Sequence, residues 1–213
     1  MATILPFNFP PSPSTIEQVV ACIQSGGVLA IPTDSYYALA AGVFQPAALE
    51  KIITIKGDRD HKPFPVLIGD LSQLDLLVAN VPETAKQLIK QFWPGLLTLV
   101  LKAKPQMSGL IVSESGTIGV RQSNDSRVCE LLKQTGPLTG TSANRSGQSP
   151  AQSADEVIQH VGAEVDLILD GGSTPGGQPS TVLEVEPKLR IIRPGAISQL
   201  VLRNVLGNVI VSG

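Results

Sequence analysis

Short apolar runs alternate along this chain with segments of helical period, and that pattern constrains its fold more than any other feature. Residues 28–32 (VLAIP), 64–69 (FPVLIG), 96–102 (LLTLVLK), 117–121 (TIGVR) and 166–170 (DLILD) each read as a buried strand. Between them, apolar residues recur every three or four positions. Ile16, Val19, Val20 and Ile23 share one face of a first helix, capped by Ser14 or Thr15 and stopped by Gly26-Gly27. Further helices are expected over about 46–56, 82–92, 126–136, 155–161 and 196–206. STVLEVE and LRIIRP read as a hairpin-like pair turning at Pro187-Lys188. Interleaved strands and helices predict an α/β fold with a mixed sheet. Residues 1–14, rich in proline, are expected to form an extended arm, and 15–213 one domain. The glycine-rich stretch 171–179 (GGSTPGGQP) reads as a mobile active-site loop.

Composition narrows the function classes. With 42% hydrophobic and 16% charged residues the chain is too apolar for disorder. Its longest apolar run, 36–44, falls well short of the roughly 18 residues of a membrane span. Sixteen basic against 18 acidic residues, net −2, argue against a broad basic face for non-specific nucleic-acid binding. Two cysteines (Cys22, Cys129) and two histidines (His61, His160) supply neither a disulfide framework nor zinc spacing. The first basic side chain is Lys51, which fits no export or transit signal. The expectation is a cytoplasmic protein with reduced thiols and no membrane.

Four polar segments sit at strand ends. IPTDSYYAL (31–39) ends a strand in Thr33, Asp34 and Ser35; by itself it also reads as a capped turn. KGDRDHKPF (56–64) gathers Lys56, Arg59 and Lys62, cations that suit a polyphosphate, with Asp58 and Asp60 partly neutralising them. GPLTGTSANRSGQSP (136–150) places small donors such as Ser142, Asn144 and Ser149 on a flexible backbone, which suits an anion-binding nest. GGQPSTVLEV with IIRPG offers Ser180, Thr181 and Arg193. There is no GxxxxGK[ST] loop, no GxGxxG after a strand and no GxSxG elbow. The residues alone point to an α/β domain that binds an anion or nucleotide.

Taken in order, these segments resemble the YrdC family, the threonylcarbamoyl-AMP synthases. PTDSYYAL resembles PTDTVYGL, KGDRDHKP resembles KxRxxxKP, and FWPGLLTLVL resembles FWPGPLTLVL. TSANRSG is close to the SANxSG signature, and PSTVLEV with IIRPG resembles STVVD and ILRPG. The resemblance runs from about Ile16 to Gly195 and is to the single-domain form. It implies a twisted, open mixed sheet flanked by helices, with a concave, positively lined cleft. It also implies a nucleotidyltransferase that joins L-threonine, bicarbonate or CO2, and ATP, with Mg2+. The product is threonylcarbamoyl-adenylate, which a downstream tRNA threonylcarbamoyl transferase uses. Weak RNA binding is a further implication. The alternative within the same resemblance is a paralogue that binds nucleotide or double-stranded RNA without synthase activity.

The resemblance also assigns roles. It puts Lys56, Arg59 and Lys62 at the ATP phosphates, and Thr117, Ser142, Asn144, Ser149 and Arg193 at the nucleotide. It puts Ser35, Arg121 and Ser180 at L-threonine, with Arg121 on the carboxylate. Lys56, Lys62 and Arg121 are the implied catalytic residues. Such a step needs positioning and charge neutralisation more than a strong base. The chain departs from the family pattern at Asp58, where an arginine is usual, at Leu67, where many members carry a histidine, and at RQS (121–123), which replaces RVP.

Overall fold

The computed structural model describes residues 2–57, 62–207 and 211–212. Asp58 and Arg59, on which part of the phosphate expectation rests, lie outside the described residues. The chain opens with β1 (Thr3–Pro6), α1 (Pro13–Gln24), β2 (Leu29–Ile31), β3 (Ala38–Ala40), α2 (Pro46–Lys56) and β4 (Val66–Ile68). A 3-10 turn (Leu71–Gln73) leads to α3 (Leu74–Leu77), α4 (Glu83–Phe92), β5 (Leu97–Lys102), β6 (Thr117–Gln122) and α5 (Ser126–Thr135). Then come β7 (Leu138–Thr139), β8 (Thr141–Ser142), α6 (Ala154–Val161) and β9 (Leu167–Asp170). The chain ends in β10 (Thr181–Glu184), β11 (Arg190–Arg193), α7 (Gln199–Leu206) and β12 (Val211–Ser212). No helix among the described residues is long and apolar enough to cross a membrane.

The strands form two mixed sheets. One runs β1-β9-β2-β3-β8 and the other β12-β11-β10-β5-β6-β4-β7. In the stretch read as an arm, Thr3–Pro6 pairs in parallel with Leu167–Asp170 as an edge strand, and Pro13 and Ser14 already belong to α1. The cap of α1 is Ser12 rather than Ser14 or Thr15. Its hydroxyl accepts from the Thr15 N–H at 3.1 Å, and Pro13 fills the first turn, where a missing N–H costs nothing. The hairpin expectation holds, since β10 and β11 are antiparallel.

Alternation along the strands divides the core in two. Val28, Ala30, Leu39 and Ala41 face the larger core, with Val66 and Ile68 of β4. Leu29, Ile31, Ala38, Ala40 and Leu67 face a smaller one closed by Val19 of α1 and by Val128 and Leu131 of α5. The chain passes between the sheets at Gly140, after β7 in one sheet and before β8 in the other. Neighbouring bonds stitch that crossing. The Thr139 N–H donates to Ala41 O at 2.9 Å, and the Gly140 N–H to Pro65 O at 2.9 Å.

Candidate active site

The register of the larger sheet gathers one group of predicted residues. Arg121 lies near the C-terminal end of β6, opposite Leu67 of β4. Leu99 of β5 pairs with Val120, so Thr98 is one step further toward the same end. Thr181 pairs with Leu97, which brings Ser180 there, and Val182 pairs with Arg193. Strand direction thus sets Arg121, Thr98, Ser180 and Arg193 at one end of four adjacent strands. Ser180 and Thr98 share a hydrogen bond of 2.8 Å, and Arg193 Nη2 donates to Ser180 O at 2.8 Å and to Ser180 Oγ at 3.0 Å. Burial, and then the neighbouring Arg121 charge, push the Arg193 guanidinium below the ordinary arginine range.

The turn between β2 and β3 supplies the other wall of this group. Asp34 Oδ1 accepts from Arg121 Nη1 at 2.5 Å and from Ser123 Oγ at 3.0 Å, and Asp34 Oδ2 accepts from the Asn124 N–H at 3.0 Å. The Arg121 and Asp34 side chains are only 8% and 11% exposed, so losing either partner would leave the other charge poorly compensated. Ser35 is buried, its hydroxyl 3.3 Å from that of Thr33. A cavity of about 370 Å3 opens beside Asp34, walled by Phe92, Trp93, Leu96, Asn124 and Ile197.

A second group forms where α2 ends. Lys56 is buried in the last turn, and its Nζ donates to Ser142 O at 2.9 Å and Asn144 Oδ1 at 3.0 Å. The Lys56 carbonyl accepts from the Ser146 N–H at 2.9 Å, which ties the helix end to the TSAN loop. Asn144 Nδ2 holds that loop closed through Arg145 O and Gln148 O. Ser142 pairs with Ala38, so the segment from Thr33 to Ala38 touches both groups.

The loop 171–179 lies over the same segment and is bonded to it. The Gly176 N–H donates to Ser35 O at 2.8 Å, Tyr37 Oη donates to Gly172 O at 2.8 Å, and Tyr36 Oη donates to Gly177 O. Burial pushes the Tyr37 hydroxyl above the ordinary tyrosine range.

Lys62 is exposed where the chain approaches β4, and Ser149 is exposed beyond the TSAN loop. Thr117 sits at the opposite end of β6 from Arg121, paired with Lys102, and its hydroxyl bonds to Ser113 Oγ at 2.7 Å. Four residue steps along the strand separate it from Arg121 by about 13 Å. It lines a different cavity, of about 420 Å3, with Lys102, Glu184 and Glu186. Conversely, the sequence reading assigned no role to Asp34, Thr98 or Ser123. Thr98 carried a signal, as a lone hydroxyl within an apolar strand.

The donors gathered here are lysine, arginine, hydroxyl and amide, a set that grips carboxylate and phosphate. Among the described residues no group of three or more His, Cys, Asp or Glu is placed to hold a metal ion, and Asp34 is spent on Arg121. The described side chains thus form no all-protein cage, and a Mg2+ ion here would be held largely by the phosphates of a bound nucleotide.

The Sua5/YciO/YrdC family model, described as telomere recombination, matches residues 21–195. The chain belongs to this family. It is 35% identical over 195 residues to the threonylcarbamoyl-AMP synthase of Bacillus subtilis, covering 90% of this chain but 56% of that protein. Against the threonylcarbamoyl-AMP synthase of Vibrio vulnificus the identity is 31%, over 85% of this chain and 99% of the relative. Among solved structures it is similar to Pyrococcus abyssi Sua5 complexed with L-threonine, with a TM-score of 0.91, 29% identity and 98% of this chain covered. There too it spans only 62% of the longer protein. Escherichia coli YciO matches with a TM-score of 0.81 and 30% identity, over 92% of this chain and 97% of that one. The Sua5/YciO/YrdC fold thus accounts for the two mixed sheets and for the ordered motifs.

Proposed function

We propose that this chain is a threonylcarbamoyl-AMP synthase, which activates L-threonine as its carbamate with ATP and releases pyrophosphate. The observation that carries this reading is the meeting of two polar groups on one short segment, Thr33 to Ala38. Arg121, Ser180 and Arg193 stand on one side, Lys56, Ser142 and Asn144 on the other. The relatives named threonylcarbamoyl-AMP synthase and the L-threonine complex of Pyrococcus abyssi Sua5 agree with it.

In this reading Arg121 takes the amino-acid carboxylate. Its Nε and Nη2 make no hydrogen bond among the described residues, which leaves donors for a bidentate partner. Ser35 and Ser180 offer hydroxyls to the polar atoms of the amino acid. Lys56, held by Ser142 and Asn144, contributes positive charge at the phosphates, with Lys62 and Arg59 from the following loop. Ser142, Asn144, Ser149 and Arg193 bind the nucleotide. Once threonine carbamate and ATP lie side by side, a carbamate oxygen attacks the α-phosphorus and the bond to pyrophosphate breaks in line. The fixed cations stabilise charge that grows on the phosphate oxygens. Magnesium enters on the triphosphate.

The product is consumed by a tRNA threonylcarbamoyl transferase in the cytoplasm, and binding of duplex RNA by this chain itself is weak and salt-sensitive. Pyrophosphate release from ATP and bicarbonate, with and without L-threonine, is the deciding measurement. Threonine-dependent release is expected. Nucleotide or RNA binding without release would overturn the reading in favour of a binding paralogue.

A further inference from the structure

The best-satisfied carboxylate at the site belongs to a residue that the proposed reaction has not used. Asp34 lies in the turn after β2, in the smaller sheet, while Arg121 belongs to β6 in the larger one. Three donors from one stretch of chain converge on Asp34: Arg121 Nη1, Ser123 Oγ and the Asn124 N–H. A largely enclosed carboxylate with this many partners is rigid, and it transmits that rigidity to the guanidinium. Its grip on Arg121 is one-sided, since only Nη1 is engaged. Across the site stands a second guanidinium, Arg193, whose pKa the Arg121 charge helps to depress. Without an anion between them or beside them, two such groups at one strand end repel each other.

We propose that Asp34 is the positioning residue for Arg121. It fixes the guanidinium by Nη1 so that the Nε–Nη2 edge faces an incoming amino-acid carboxylate, and it offsets the repulsion from Arg193. The substrate carboxylate then adds to the Asp34–Arg121 pair rather than replacing it. This inference rests on the reading of Arg121 as the carboxylate-binding residue.

The test uses the full chain with Asp34→Asn, which keeps the shape and removes the charge, and Ser123→Ala, which trims the clamp but leaves the ion pair. L-threonine and ATP affinities are measured separately by calorimetry. The Arg121 Nε–Hε signal is followed by NMR without ligand. Asp34→Asn is expected to weaken L-threonine by about tenfold, the scale of one charge-assisted bond, and to leave ATP unchanged. It is also expected to raise KM for threonine more than it lowers kcat. Its Arg121 Nε–Hε signal should broaden, while Ser123→Ala should show a sharp native-like signal. Native threonine affinity in Asp34→Asn, or equal losses for both ligands, would overturn the proposal. If the native chain binds no L-threonine, the functional reading falls, and the NMR alone decides the positioning. A signal sharp in the native chain and broadened in Asp34→Asn supports it, and one alike in both sinks it.

Discussion

A Cβ placed on Gly140 would stand 2.6 Å from Leu67 Cγ and 2.8 Å from Leu67 Cδ1. The two residues meet where the chain leaves one sheet for the other, and the close approach sets the spacing between β4 and the TSAN loop. Gly140→Ala is expected to cost about 1–3 kcal/mol through overpacking. Leu67→Ala alone should cost about 2–5 kcal/mol, and the double variant clearly less than the sum, because each change relieves the other. Urea unfolding of the three variants reads this out. Simple additivity would show that the contact is not what limits the residue at position 140.

Lys56 couples α2 to the TSAN loop, so its loss has two consequences. Lys56→Met removes a charge-assisted donor, and ATP affinity should drop by about tenfold or more. The acceptors Ser142 O and Asn144 Oδ1 also lose a buried donor, which should lower stability by about 1–3 kcal/mol. A nucleotide titration and a denaturation curve on the same sample separate the two effects.

Gly195 packs against backbone. A Cβ there would stand 2.3 Å from Pro179 O and 2.6 Å from the Thr181 nitrogen. Backbone cannot swing aside as a side chain can, so Gly195→Ala should displace Ser180. The expected result is loss of threonine affinity with a folded far-UV spectrum. Unchanged threonine binding would show that Ser180 tolerates the shift.

Tyr37 gives a pH signature. Burial raises its pKa above the ordinary value of 10.0, so the folded state keeps the proton after the unfolded chain has released it. The stability due to this group is therefore complete below about pH 10 and falls as pH rises through the raised value. Tyr37→Phe should remove that alkaline slope. It should also lower stability at neutral pH by about 1–3 kcal/mol, since the Gly172 carbonyl and Gly171 N–H lose their shared partner. Urea unfolding at pH 8 and pH 10.5 compares the slopes.

The period of the apolar residues was enough to place α2 at Pro46–Lys56 and to put β5, β6 and β9 within a residue or two of their observed bounds. That follows because burial on one face enforces the period locally. Strands of two or three residues, such as β3, β7 and β8, carry no readable period, and pairing partners far along the chain create them. The ordered motifs of the 33–38, 56–64, 136–150 and 180–195 segments marked Ser35, Lys56, Ser142, Asn144, Ser180 and Arg193, because cations and small hydroxyls at strand ends are conspicuous in an apolar chain.

What local pattern could not supply was position across the sheets. Thr117 and Arg121 share one strand and one face in sequence, but only the pairing shows what each end meets, Lys102 beside Thr117 and Asp34 beside Arg121. Asp34 looked like an ordinary turn residue until Arg121, 87 positions away, was seen to donate to it. The longer strands and helices and the family's ordered motifs were legible from the chain alone, since those properties depend on neighbours in the chain. The tertiary structure alone decided which polar residues meet, because a buried ion pair between two sheets depends on register and direction, and neither is written in the residues that form it.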